Sequence, residues 1–78
     1  MRLVLVTRQG CHLCDEALEL LRALGHEPLL ADVDADERLH DLYDWRVPVV
    51  LADDRVVGEG KIDRAMLERG IGKAQPDR

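Results

Sequence analysis

Cys11-His12-Leu13-Cys14 holds the only two cysteines in the chain. At a C-x-x-C spacing one turn of helix brings two sulfurs within bonding distance, so a disulfide can open and close without large backbone movement. The pair stands where a strand-like apolar run gives way to a helix-like one. A helix beginning at or near Cys11 aims unpaired backbone N–H groups at its sulfur and favours the thiolate, the attacking species in thiol–disulfide exchange. Cysteines so placed reach pKa values of roughly 3.5–7.5, against about 8.5 for a free thiol.

The flanking residues specify the elements that must hold this pair. Arg2 to Val6 is a short apolar run without alternation, as in a central strand covered on both faces. Thr7-Arg8-Gln9-Gly10 is a turn. Leu13, Ala17, Leu20, Leu21 and Leu24 then fall on one helical face, and Gly25 supplies a left-handed C-cap. Leu29 to Val33 reads as a second strand. Asp34 with Glu37 fits a capping-box start for a short helix carrying Leu39, Leu42 and Tyr43. Val47 to Leu51 and Arg55 to Val57 form a hairpin about Asp53-Asp54, followed by the turn Gly58-Glu59-Gly60. Ile62, Ala65, Met66 and Leu67 mark a third amphipathic helix that stops at Gly70.

The order is β-α-β-α-β-β-α, an α/β domain with a four-stranded mixed sheet flanked by three helices. Its βαβ unit crosses over right-handed. The domain spans residues 1–72, and the polar segment 73–78 is expected to fray.

Seventy-eight residues make one small domain, burying roughly 60–65% of the surface of the unfolded chain. With 16 acidic and 11 basic residues the formal charge is −5, and the basic residues form no run. That distribution speaks against a nucleic-acid groove or an anionic membrane patch. The longest apolar stretches fall far short of the roughly 20 residues a membrane span needs, so a soluble protein is expected. The beginning of the chain lacks the apolar core and cleavage site of a signal peptide. The expectation is therefore a cytoplasmic protein, in whose reducing surroundings two cysteines are catalytic or metal-binding more readily than a structural staple.

Three features together resemble the glutaredoxins and the wider thioredoxin superfamily: C-x-x-C at the junction of the first strand and helix, Val47-Pro48 opening the third strand, and a glycine-containing turn before the last helix. The segment Thr7 to Ala17 is similar to that of small bacterial glutaredoxin-like proteins with a C-H-L-C-x-x-A signature. The resemblance covers nearly the whole chain and implies a thioredoxin/glutaredoxin fold and a thiol–disulfide oxidoreductase. Cys11 would be the exposed nucleophile and Cys14 the more buried resolving thiol. No tightly bound cofactor is implied, and the partner would be a protein or low-molecular-weight disulfide, with glutathione as a candidate co-substrate and the domain acting as a monomer.

The same resemblance implies binding roles around the pair. Val47-Pro48 matches the residue and cis-proline that pair with the backbone of a substrate, although by base rate alone an X–Pro bond is cis in only about 5–6% of cases. Arg8 stands where glutaredoxins often carry a lysine for a glutathione carboxylate. His12 replaces the family's proline or glycine, and its imidazolium could favour the Cys11 thiolate, against the opposing charge of Asp15 and Glu16. Arg46 and Trp45, just before Val47, could pack or meet substrate. Gly58 matches the first glycine of a Gly-Gly turn. Here the chain departs from the pattern, because Glu59 stands at the second glycine and Lys61-Ile62 roughly replace the two aspartates that hold glutathione.

Two other classes compete. One is a metal module, in which the cysteines join His12, His26 or His40, or two chains share an iron–sulfur cluster; no second cysteine pair supports it. A c-type haem site is excluded, since Asp15 follows Cys14. The other is a redox-inactive domain that uses the groove near Trp45 to bind a partner, which the intact cysteine pair opposes.

Overall fold

The computed structural model describes residues 1–72 and contains β1 (Leu3–Thr7), α1 (His12–Ala23), β2 (Leu29–Asp32), α2 (Glu37–Tyr43), β3 (Val49–Ala52), β4 (Arg55–Glu59) and α3 (Arg64–Ile71). The segment expected to fray, 73–78, lies outside the described residues. The sheet order is β2-β1-β3-β4, with β1 parallel to β2 and antiparallel to β3, and β4 antiparallel to β3. This is the mixed four-stranded sheet and element order that the pattern implied.

β1 is the pivot of the core. Leu3 and Leu5 project from one face into a cluster with Ala17 and Leu21 of α1, Leu67 of α3, and Val50 and Val57. Val6 projects from the other face against Val33, Val49 and Leu51, with Leu39 and Tyr43 of α2 packed on them. Alternation along a pleated strand therefore gives each residue a partner on one side or the other, which explains why β1 is almost continuously apolar.

The helix ends follow from single residues. Gly25, at φ 91°, lets its N–H reach Arg22 O at 3.0 Å while His26 N–H reaches Leu21 O at 2.9 Å, the two bonds of a Schellman cap on α1. The cap of α2 differs from expectation. Asp36, not Asp34, accepts from Arg38 N and Leu39 N at 2.9 and 3.2 Å, because Asp34 is turned towards Arg8. Asp53 and Asp54, at φ 51° and 70°, make the two-residue hairpin turn with both central residues left-handed, as a type I′ turn requires.

β1 and β2 shift by one residue, to Leu3–Thr7 and Leu29–Asp32, and the later elements shift for identifiable reasons. β3 begins at Val49, after the proline, which has no N–H to donate to the ladder. β4 runs on through Gly58 to Glu59, so Gly58 is a strand residue opposite Val50 and the chain turns at Gly60, φ 71°. α3 continues past Gly70 to Ile71. Gly70 is no terminator: a Cβ there would collide with the Cβ of Val57 and lie 2.9 Å from its Cγ1 and 3.0 Å from its carbonyl oxygen. The missing side chain is what lets α3 lie directly on β4.

α2 is only seven residues long and has no buried residue, so it covers one end of its sheet face. Beyond it an in-register row crosses all four strands, Leu29, Val4, Leu51 and Val56, of which Leu29 and Val56 stay exposed. No helix among the described residues is long and apolar enough to cross a membrane.

The α3–β4 contact predicts that Gly70→Ala costs about 1–3 kcal/mol, the range for overpacking a tight contact. In a Val57→Gly background the same substitution should cost less, because the obstructing Cβ and Cγ atoms are gone. Denaturant unfolding of the four members of this cycle measures the coupling.

Candidate redox site

The connection from β1 to α1 is four residues, Arg8 to Cys11. Cys11 N–H donates to Arg8 O at 3.2 Å and Gly10 takes φ 78°, the left-handed third position of a type II turn. The turn delivers Cys11 as the N-cap of α1, in extended conformation at φ −91° and ψ 110°. Its Sγ accepts a hydrogen bond from Cys14 N at 3.1 Å, doing with sulfur what a serine or aspartate oxygen does at other N-caps. Cys11 and Cys14 are disulfide-bonded, with Cα atoms 5.2 Å apart. Cys11 is half-buried and Cys14 is 2% exposed, so only the first sulfur faces outward.

Val47-Pro48 approaches from the α2–β3 connection. The Val47–Pro48 peptide is cis, Pro48 is buried, and its carbonyl accepts from Gly60 N at 2.9 Å, which ties this loop to the end of β4. Val47 packs its side chain on the core while its own N–H and C=O enter no backbone hydrogen bond among the described residues.

Arg8 lies inside a charged clasp. Its Nε and one terminal nitrogen reach the two oxygens of Asp34, both at 2.8 Å. The same terminal nitrogen bonds the Asp44 carboxylate, and the other donates to Asp44 O at 3.2 Å. The clasp joins three connections: β1–α1 just before Cys11, β2–α2, and the end of α2 that leads into Trp45 and Val47. His40 borders it, with Nε2 3.4 Å from Asp44 and 3.9 Å from Asp34. The bonds to Arg8 hold the Asp34 carboxyl below its ordinary range, and the guanidinium is held more firmly protonated in return.

Arg46 is similarly engaged. It forks onto Glu59, with Nε 3.2 Å from both carboxylate oxygens, and lies 5.2 Å over the Tyr43 ring. Glu59 is held below, and Arg46 above, the ordinary range by that hydrogen-bonded pair. The imidazole of His12, 85% exposed, has Nε2 2.9 Å from Glu16 Oε2 one turn along α1. Gly58 is buried, and a Cβ there would meet Met66 Sδ at 3.0 Å, so it is a packing position under α3. Trp45 is 94% exposed.

The structure thus gathers Cys11, Cys14 and Arg8 around one turn and Arg46, Val47 and Pro48 on the connection clasped to it. Asp34, Asp44 and Glu59 were not singled out as site residues from sequence. Their arginine partners lie 26, 36 and 13 residues away, and no local pattern announces such pairs. Asp34, His40 and Asp44 also form the one cluster of metal-ligating types among the described residues; it contains neither cysteine and already encloses the Arg8 cation.

Fold and site together define a thioredoxin-like domain with a C-x-x-C pair at the start of its first helix. Residues 2–72 match the model of the glutaredoxin-like domain family (DUF836), and the chain belongs to that family. Among solved structures it is similar to protein Ne2328 of Nitrosomonas europaea, with 35% identity, a TM-score of 0.76, and coverage of 91% of this chain and 86% of that one. It is also similar to protein XcR50 of X. campestris, with 32% identity, a TM-score of 0.77, and coverage of 88% and 93%. No curated protein matches the sequence.

The clasp carries a pH prediction. A carboxyl lowered in the folded state contributes stability that is full above its ordinary value, 3.8 for Asp34, and is lost as the pH falls through the lower folded value. Asp34→Asn should therefore lower the Tm at neutral pH, with the gap to the parent closing as the pH drops below 3.8 and narrowing with added salt. Thermal melts over a pH series check both trends.

Proposed function

We propose that this domain is a dithiol thiol–disulfide oxidoreductase working through Cys11 and Cys14. The observation that carries the reading is the paired placement of the sulfurs: Cys11 at the α1 N-cap, half-buried and bonded by Cys14 N–H, with Cys14 2% exposed behind it.

In the reducing direction the Cys11 thiolate attacks one sulfur of a substrate disulfide. A Cys11–substrate S–S bond forms, the substrate S–S bond breaks, and the departing thiolate takes a proton from solvent. Cys14 then loses its proton and attacks Cys11 Sγ. This second exchange releases the other substrate thiol and leaves the Cys11–Cys14 disulfide, so two electrons have passed from protein to substrate. The N–H groups at the start of α1 favour the anionic sulfur that both attacks require. Holding Cys14 one helical turn away makes the second step intramolecular and faster than attack by an external thiol. The free N–H and C=O of Val47 offer an extended substrate backbone two hydrogen bonds beside Pro48. An external dithiol or thiol returns the pair to its reduced form, and the proposed setting is a reducing cytoplasm.

Different failures of the two single variants test the mechanism. Cys11→Ser should reduce exchange with hydroxyethyl disulfide to the uncatalysed background. Cys14→Ser should instead accumulate a covalent adduct on Cys11, seen by mass spectrometry and released by dithiothreitol. Equal alkylation of both thiols in the reduced parent, or no adduct in Cys14→Ser, would sink the assignment of roles.

A further inference from the structure

β2 is an edge of the sheet, with β1 on one side and no strand of the described residues on the other. The parallel register with β1, together with Val33 N–H donating to Thr7 O, turns the backbone groups of Leu29 and Ala31 and the N–H of Val33 towards β1. The N–H groups of Leu30 and Asp32 and the carbonyls of Pro28 and Leu30 therefore face outward. Asp32 C=O faces outward too, and it already accepts from Ala35 N at 3.0 Å. Pro28 supplies an acceptor but has no N–H.

The side chains of this edge are as open as its backbone. Leu29 and Leu30 are 58% and 56% exposed and stand on opposite faces of the strand. Sheets ordinarily protect an edge with a bulge, charges or cover. β4, the other edge, has all three: a register shift opposite Val50 and Leu51, Arg55 and Glu59 at its two ends, and α3 lying on it. β2 presents two leucines instead.

We propose that β2 pairs with the β2 of a second copy, antiparallel about a two-fold axis at Leu30, joining two four-stranded sheets into one. The strand is complementary to itself at this register. Leu30 and the partner's Leu30 exchange both N–H···O bonds, and each Asp32 N–H donates to the Pro28 carbonyl across the axis. Every outward donor is used, and the proline that lacks a donor faces the one carbonyl already taken. On one face Leu30 meets the partner's Leu30; on the other Leu29 meets the partner's Ala31, so each exposed leucine gains an apolar neighbour. Other registers fit less well. An axis at Ala31 sets the Asp32 carboxylate against the partner's Leu30 and calls again on the carbonyl that Ala35 holds, and an axis at Leu29 leaves Leu30 C=O facing a proline.

Pro28 to Asp32 make a short contact, of the size that associates reversibly. Antiparallel pairing points the two β1 strands in opposite directions and puts the two Cys11 turns at opposite ends of the joined sheet. The dimer replaces the monomer that the family resemblance implies, and it stands or falls independently of the exchange chemistry.

Sedimentation equilibrium over a series from about 10 μM to about 1 mM should show the mass rising from 8.8 kDa towards twice that value. Leu30→Pro removes an N–H that faces away from β1, a position where an edge strand tolerates proline, so the single chain should keep its far-ultraviolet circular dichroism. The two central bonds of the dimer are lost with it, and its dissociation constant should rise on the order of tenfold or more. Leu30→Lys and Leu30→Glu each set like charges face to face and should each stay monomeric, whereas their equimolar mixture should regain the dimer, because this position faces itself. A parent that stays monomeric through the series would overturn the proposal, as would a dimer that survives all three variants or charged variants that do not associate when mixed.

Discussion

A four-residue turn joins the buried middle strand to the helix packed over it, and its length decides where the reactive sulfur can stand. β1 ends at Thr7 and α1 begins at His12, so the chain must reverse within Arg8 to Cys11. Gly10 supplies the positive φ that a side chain would resist, and the residue after it becomes the N-cap. Cys11 is therefore fastened from two sides. Its N–H is tied back to Arg8 O, and its sulfur accepts from the first turn of the helix it caps.

Electrostatics at this end of the sheet are organised inward. Three loops meet where Arg8 lies between Asp34 and Asp44, and a second arginine closes onto Glu59 across the mouth of the β3–β4 hairpin. Pairs this exposed contribute little to global stability. Their effect is geometric: the planar fork of Arg8 sets the orientation of the loop before Cys11 relative to the loop before Pro48. The consequence for recognition is negative as much as positive, because a cation satisfied by two internal carboxylates has little left for an external one. Left without a partner at this end, among the described residues, are the backbone of Val47, the indole of Trp45 and the ammonium of Lys61.

The legible parts of the molecule were those written locally. The cysteine pair, the apolar strand before it, the Gly25 cap and the Asp53-Asp54 hairpin each depend on residues within a few positions of one another, so their patterns carry over into the fold. The errors share a different origin. Asp34 and Asp36 are both competent caps, and what assigns the role to Asp36 is an arginine 26 residues before Asp34 that draws that carboxylate away. Gly70 has the composition of a helix stop, yet its purpose is the close approach of Val57 from another element. Gly58 looks like the start of a turn because glycine is rare in strands, while the space it leaves is filled by Met66. Each misreading concerns a residue whose partner is distant in sequence, and tertiary contact overrides local preference there.

The scaffold also bears on how far the proposed redox cycle would reach into the fold. The Cys11 sulfur accepts from a backbone N–H in the first turn of α1, a donor positioned by the helix that Cys11 caps. Under the proposed chemistry a freed thiolate would gain from the N–H that the sulfur already faces, a charge-assisted hydrogen bond in place of the covalent one. Cys14 is 2% exposed and lies on the buried side of the pair. One set of backbone donors would then serve both states of the proposed cycle, with the difference between them confined to a single helical turn, away from the Arg8 clasp and the sheet.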